Sequence, residues 1–350
     1  MNAAPPTPSL SVVMTSYNGG RFIRQQLESL AAQTLLPHEL VVCDDGSTDD
    51  TLAIVAAFQR VAPFLVNIQR NPVRLGYAEN FLHGCTLAAG QLIAFCDQDD
   101  VWLPAKLERC VAAFTADDRV LLAIHSATVV DDALRPRGFG KPDFAVSSVL
   151  APSGGELDFS LPGFAMVFSR SLVRAAPASE RARDGMKAGR PLMAHDQWIV
   201  FLARSSGRVA HLADRLVLYR QHGGNHCGAS EAAPPVPTLR RAVNEAAYRQ
   251  RAEASEYYSR FLTGLAGRAA DPARRNVRTS AAHYRRQAVI YTARALLYAG
   301  NRTLPDRIST YATLWKRGAY RTARGLGWRA GLKDASSLFL GHIQSHALDP

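Results

Sequence analysis

Two clusters of carboxylates carry the strongest chemical signal in this sequence. Asp44 and Asp45 open the run DDGSTDD, which also holds Asp49 and Asp50, and Asp97, Asp99 and Asp100 lie in CDQDD. Each cluster directly follows a short apolar run, LVVC at 40–43 and LIAFC at 92–96, which reads as a β-strand. Acids after a strand often cap the next helix, and Ser-Thr-Asp-Asp ahead of residue 51 suits that role for Asp49 and Asp50. Capping does not account for Asp97 and Asp99, because the next helical pattern starts only near Pro104. Alternate residues of an extended segment project to one side. Asp97 and Asp99 are therefore expected to face a single hard cation, with Asp100 in support. Clustered carboxylates repel one another unless positive charge lies between them. No His/Cys cluster suits zinc, whereas oxygen ligands from few side chains suit Mg²⁺ or Mn²⁺, with phosphate oxygens completing the shell. Neither a P-loop nor a GxGxxG follows the first strand. A nucleoside diphosphate held through metal, not by a glycine loop, is the expected ligand.

The elements that must position these acids are legible from the hydrophobic pattern. SVVMT at 11–15, FLVNIQ at 64–69 and LLAIH at 121–125 join the two runs above as strands. Helical patterns at 22–30, 49–62, 77–88 and 104–116 alternate with them. This predicts right-handed crossovers and an α/β, Rossmann-like, mostly parallel sheet with helices on both faces. Ligands of such sheets bind beyond the carboxyl ends of the strands, so Thr15 to Gly20 joins the same rim. FAMVF at 164–168 reads as a further strand and HDQWIVFLARS at 195–205 as a helix. VAHL at 209–212 and LVLYR at 216–220 suggest a hairpin around Ala213-Asp214-Arg215, and the Gly-, Pro- and Ser-rich stretch 133–160 suggests long loops. Beyond a linker at 231–238, residues 240–263, 279–299 and 306–323 read as helices rich in Ala, Arg and Leu.

A chain of 350 residues is long enough for about two domains. Its 47% hydrophobic and 20% charged content is that of a globular protein, and no run reaches the ~18 apolar residues of a spanning helix. The start, MNAAPPTPSL, lacks the basic and apolar segments of a signal peptide. Five cysteines without a CxxC pair read as free thiols of a reducing cytoplasm. The net charge of +11 is uneven: residues 1–238 carry −2 and residues 239–350 carry +13.

The segments LSVVMTSYNGG, LVVCDDGSTDDT, NPVRLGYAENFLHG and IAFCDQDDVW, in this order and spacing, resemble the family 2 glycosyltransferases of GT-A fold. The resemblance extends through PGFAMVFSR (162–170), AHDQW (194–198) and YRQHGGN (219–225), and covers roughly residues 9–228. The DQDDVW and YRQHGGN forms are most similar to bacterial rhamnosyltransferase-like members that build surface polysaccharides.

The resemblance implies a role for each matching position. Thr15 and Tyr17 would hold base and ribose, and Asp44, with Asp45 beside it, would bond the uracil or thymine ring. Asn71 would lie against the nucleotide, in a segment that also contains Arg74 and Asn80. Asp97 and Asp99 match the DxD metal site. Asp196 matches the catalytic base, although a helix-capping role is the alternative, and His195 beside it reads as packing. Arg220 and His222 match late basic positions that meet the diphosphate, and Gly223-Gly224-Asn225 after them suggests a loop that closes on donor. Trp198 is either core or a platform on the acceptor side. The implied reaction is inverting, metal-dependent transfer of a sugar from a UDP- or dTDP-linked donor to a glycan or lipid-linked acceptor. A nucleotidyltransferase and a non-catalytic sugar-nucleotide or glycan-binding relative are the alternatives.

The expected domains are a catalytic one at 1–230 and a basic helical one at 239–350. Basic amphipathic helices suit an anionic membrane surface, which would place the enzyme on the cytoplasmic face of the cell membrane. Packing on the catalytic domain or on a second copy is the other reading of this region. Nucleic acid is disfavoured, because no recognition signature accompanies the charge.

Overall fold

The computed structural model describes residues 7–139, 142–152, 157, 159–223, 245–269, 271, 273–300, 302–321 and 327–339. The linker at 231–238, Cys227 and the Gly224-Asn225 end of the predicted closing loop lie outside them. By backbone proximity the chain forms two compact units. The first takes residues 1–182, 192–231 and 265–277; the second takes 183–191, 232–264 and 278–350.

In the first unit, ten strands of the described residues form one sheet: β1 (Leu10–Ser16), β2 (Glu39–Asp44), β3 (Leu65–Arg70), β4 (Leu92–Cys96), β5 (Val101–Trp102), β6 (Val120–Val130), β7 (Pro136–Phe139), β8 (Ser148–Leu150), β9 (Met166–Ser169) and β10 (Arg208–Arg220). Their order is β3-β2-β1-β4-β9-β6-β10-β5, with β7 beside β6 and β8 beside β10. β3, β2, β1 and β4 run parallel, and β9 enters antiparallel between β4 and β6. The helices of this part of the chain are α1 (Ile23–Ala31), α2 (Thr51–Gln59), α3 (Tyr77–Leu87), α4 (Lys106–Ala116), α5 (Ser171–Ala175) and α6 (His195–Ser206).

β2 and β4 are buried along their whole length and β1 at all but one residue. That is the burial expected of strands covered on both faces. β3, at the sheet edge, is half exposed. Parallel register sets Ser16 opposite Asp44 and Met14 opposite Cys96, so the ends of β1, β2 and β4 open on one rim. The predicted hairpin at 209–220 is instead the single 13-residue strand β10. Ala213-Asp214-Arg215 is absorbed as a bulge, with register shifts against β6 between Leu212 and Arg215 and between Arg215 and Leu218. A bulge interrupts the side-chain alternation without reversing the chain, and a turn produces the same break in pattern. The loop-like stretch 133–160 contributes the short strands β7 and β8.

The second unit is helical, built from α7 (Glu245–Arg268), α8 (Ala273–Tyr298), α9 (Leu304–Lys316) and α10 (Trp328–Phe339), with residues 265–277 counted in the first unit. Ile290, Leu297, Leu314, Ala319 and Tyr320 form its core. Asp334 is wholly buried there and accepts hydrogen bonds from Arg294 Nη2 at 2.7 Å, Tyr298 Oη at 2.9 Å and Tyr320 Oη at 2.8 Å. Three donors satisfy a carboxylate that burial alone would penalise heavily. No helix among the described residues is long and apolar enough to cross a membrane.

Candidate active site

A cleft of about 740 Å³ opens at the rim where β1, β2 and β4 end. Thr15 and Tyr17 from β1 and its turn, Asp45 after β2, and Asp97 and Asp99 after β4 line it, with Asp196 from the first turn of α6. Residues distant in sequence thus meet because parallel strands end together, and α6 brings its own acid to the same space.

The end of β2 decides which acid of the Asp44-Asp45 pair reaches the cleft. The Asp44 carboxylate is fully buried and accepts hydrogen bonds from Ser16 Oγ at 2.9 Å, Gly46 N at 3.1 Å, Ser47 N at 2.9 Å and Ser47 Oγ. It braces the turn and does not line the cleft, where the resemblance implies a contact with the base. Neighbouring residues of an extended segment point to opposite sides, so Asp45 takes the cleft. Asp45 accepts from Leu75 N at 2.7 Å, Gly76 N at 2.8 Å and Asn71 Nδ2 at 3.0 Å. Burial works to raise its pKa, but these bonds and the nearby Arg74 charge outweigh it and hold the carboxyl below its ordinary value. Asn71 also donates to Asn80 Oδ1 at 2.8 Å, and Asn80 in turn holds the Cys43 carbonyl at 2.8 Å. Asn71, Asp45, Tyr17 and Arg74 continue into a shallower depression of about 500 Å³. Arg74 lies over the Tyr17 ring at 3.8 Å and is the one Lys or Arg among the described residues lining the cleft.

The DQDD turn is held from both sides. Gln98 accepts from Tyr17 N at 3.0 Å and donates to Tyr17 O at 3.1 Å, fastening it to the end of β1. Burial, then the charges of Asp99 and Asp196, push the Asp97 pKa up to about 7. Such mutual repulsion is what a dication would relieve. Among the described residues no three metal-ligating side chains converge, so a cation at Asp97 and Asp99 would need its other ligands from outside the protein's side chains. Two carboxylate oxygens without sulfur or imidazole suit Mg²⁺ or Mn²⁺. His222 Nε2 lies 3.0 Å from Asp99 Oδ2, which brings a late basic residue to the acidic rim.

Arg220, which the resemblance sets against the diphosphate, is not among the residues lining the cleft. It is 2% exposed. Its Nε donates to Asp99 O at 2.8 Å, Nη1 to Asp132 O and Nη2 to Gln25 Oε1 at 2.5 Å. Its backbone N–H donates to Asp100 Oδ1 at 3.0 Å. Arg220 and His222 do share a face, as their alternation predicts, because both contact the Phe22 ring, at 4.5 and 4.7 Å. That face turns under the acidic turn, so Arg220 sets the position of Asp99 and Asp100. Trp198 is fully buried and packs on Phe201. Of its two readings the core one holds, because α6 is buried on nearly every side beyond its first turn.

Asp196 accepts from Gln197 N at 2.7 Å while lining the cleft. His195 stacks on Phe81 at 4.3 Å and meets Phe95 at 4.9 Å; burial lowers its pKa, and it also lines the cleft. The sequence reading missed the opposite wall, Pro162-Gly163-Phe164 with Tyr219, and the roof Leu75-Gly76-Tyr77. Gly163 carried a signal in retrospect: a Cβ there would lie 2.8 Å from His195 Nε2, so only glycine lets the wall approach.

Residues 11–172 match the model of glycosyl transferase family 2. A Nostoc sp. protein named as an uncharacterized glycosyltransferase is 29% identical over 232 residues, 64% of this chain and 68% of that one. The dTDP-rhamnosyl transferase RfbG of Shigella flexneri is 25% identical over 222 residues, 62% of this chain and 74% of that one. Among solved structures, a TarS fragment from S. aureus in complex with UDP-GlcNAc superposes with TM-score 0.52 at 19% identity, covering 89% of this chain and 93% of that one. The fold is therefore that of the GT-A transferases. By its matched domain, residues 11–172, and its named relatives, the chain is a transferase with a segment similar to glycosyl transferase family 2.

Proposed function

We propose that this enzyme transfers a sugar, with inversion, from a UDP- or dTDP-linked donor to a hydroxyl of a glycan or lipid-linked acceptor. The observation that carries the reading is one cleft holding Asp45, Asp97, Asp99 and Asp196 together. Asp45 accepts the imide N–H of a uracil or thymine ring, with Asn71 and Thr15 beside it and Tyr17 and Arg74 over the nucleoside. Asp99 and Asp97 would hold Mg²⁺ or Mn²⁺; when bound, the ion neutralises the diphosphate as it leaves. His222 adds a basic group at the same turn, and Arg220 keeps that turn in place. Asp196 takes the proton of the acceptor hydroxyl. The oxygen forms its bond to the anomeric carbon as the bond to the diphosphate breaks on the opposite face, and the nucleoside diphosphate departs. Rhamnose is the sugar favoured by the name of the Shigella relative and by the DQDDVW form of the turn.

The basic helical unit supports attachment to an anionic membrane surface, where a lipid-linked acceptor would lie. An apolar groove of about 780 Å³ in that unit is lined by Val289, Ala293 and Leu296 and carries Arg260, Arg285 and Arg317. The test of the reaction is a panel of sugar nucleotides with Mn²⁺, read by release of nucleoside diphosphate. Release with a UDP or dTDP sugar that depends on metal and on acceptor is the expected result. Absence of binding by UDP and dTDP, with or without Mn²⁺, would overturn it.

A further inference from the structure

Lys106, the first residue of α4, is wholly buried beneath the acidic turn. Its ammonium donates to the Phe164 carbonyl at 2.6 Å and sits 3.3 Å from the centre of the Trp102 ring. Among the described residues no carboxylate oxygen lies within the 4.0 Å of an ion pair. A buried ammonium without a direct counterion is costly, and an apolar chain of the same length would fill the space more favourably. Burial pulls the Lys106 pKa down to about 7 against the nearby acids, and its charged form stands where it acts on the cleft from two sides. Its field reaches Asp97 and Asp100, whose pKa values it works to lower. Phe164, whose carbonyl it holds, lines the cleft and stacks on Tyr219 at 4.3 Å, another lining residue.

Resting on the nucleotide-sugar reading above, we propose that Lys106 is a positioning residue of the transfer. Its buried ammonium clamps the Pro162–Phe164 wall through the Phe164 carbonyl and offsets the negative charge of the DQDD turn from below. It touches neither donor nor acceptor and acts through the groups that do.

The experiment compares wild type with Lys106→Met and Lys106→Gln. Three quantities are measured: the melting temperature, calorimetric binding of UDP or dTDP with Mn²⁺, and kcat and KM for a donor the wild type uses. Both variants are expected to melt no lower than wild type, because the burial cost is removed. Lys106→Met is expected to lose roughly tenfold or more in kcat and to bind the nucleoside diphosphate several-fold more weakly. Lys106→Gln, which can still donate to the Phe164 carbonyl, is expected to fall between Met and wild type. Folded variants with wild-type kcat and affinity would overturn the proposal. So would variants that melt lower, or fail to fold, while the folded fraction keeps its specific activity. If the wild type itself binds neither UDP nor dTDP, the nucleotide reading fails and this role falls with it. If the wild type binds and the variants match it, only the role of Lys106 fails.

Discussion

At the scale of single residues, neighbouring acids do different work because the backbone sends them to different places. Asp44 satisfies four donors inside its turn, whereas Asp45 faces the cleft. Asp44→Asn therefore sets an amide against donors and should cost roughly 3 kcal/mol or more of stability, read by urea denaturation, with nucleotide affinity of the folded protein retained. Asp45→Asn, which also meets three donors, should cost roughly 1–3 kcal/mol of stability and, unlike Asp44→Asn, weaken UDP or dTDP binding of the folded protein roughly tenfold or more, read by calorimetry. Asp196→Asn should bind nucleoside diphosphate as wild type does and transfer roughly a hundredfold slower or worse. Normal turnover would remove Asp196 from the base role. The repulsion around Asp97 gives a fourth expectation. Mn²⁺ should raise the melting temperature of the wild type, EDTA should reverse the rise, and Asp99→Asn should abolish it.

At the scale of elements, the cleft depends on α3 lying close against the sheet. Gly84 makes that approach possible, since a Cβ there would sit 2.4 Å from Val13 Cγ1 and 3.2 Å from Cys43 Sγ. Gly84→Ala should cost about 1–3 kcal/mol by overpacking, measured by urea denaturation. It should also weaken nucleotide binding, because α3 carries Asn80, which holds Asn71 and the Cys43 carbonyl at the end of β2. β10 shows how an element can mislead a pattern reading. A bulge at Ala213-Asp214-Arg215 leaves the strand continuous and delivers Arg220 beside the end of β6, opposite Val130.

At the scale of the whole molecule, charge is divided by region, with the excess of Lys and Arg after residue 238. Vesicles of phosphatidylcholine with phosphatidylglycerol should co-sediment the protein, phosphatidylcholine alone should not, and about 0.5 M salt should release it. Replacing Arg260, Arg285 and Arg317 together by Gln should weaken that binding while nucleoside diphosphate affinity stays unchanged. Equal sedimentation with neutral vesicles would dismiss the electrostatic account.

Strand and helix alternation and the acidic turns after β2 and β4 were legible in the sequence, because periodicity and short-range spacing report local geometry, whereas Asp196 was singled out only by resemblance. The order of those motifs carried the resemblance to family 2 glycosyltransferases. Only the tertiary structure decided which acid of a pair lines the cleft, that Arg220 braces the DQDD turn, and that Trp198 is buried. It also decided that Pro162–Phe164 walls the cleft and that Lys106 lies beneath it. Those outcomes depend on register, burial and close approach between segments remote along the chain, and no local pattern encodes them.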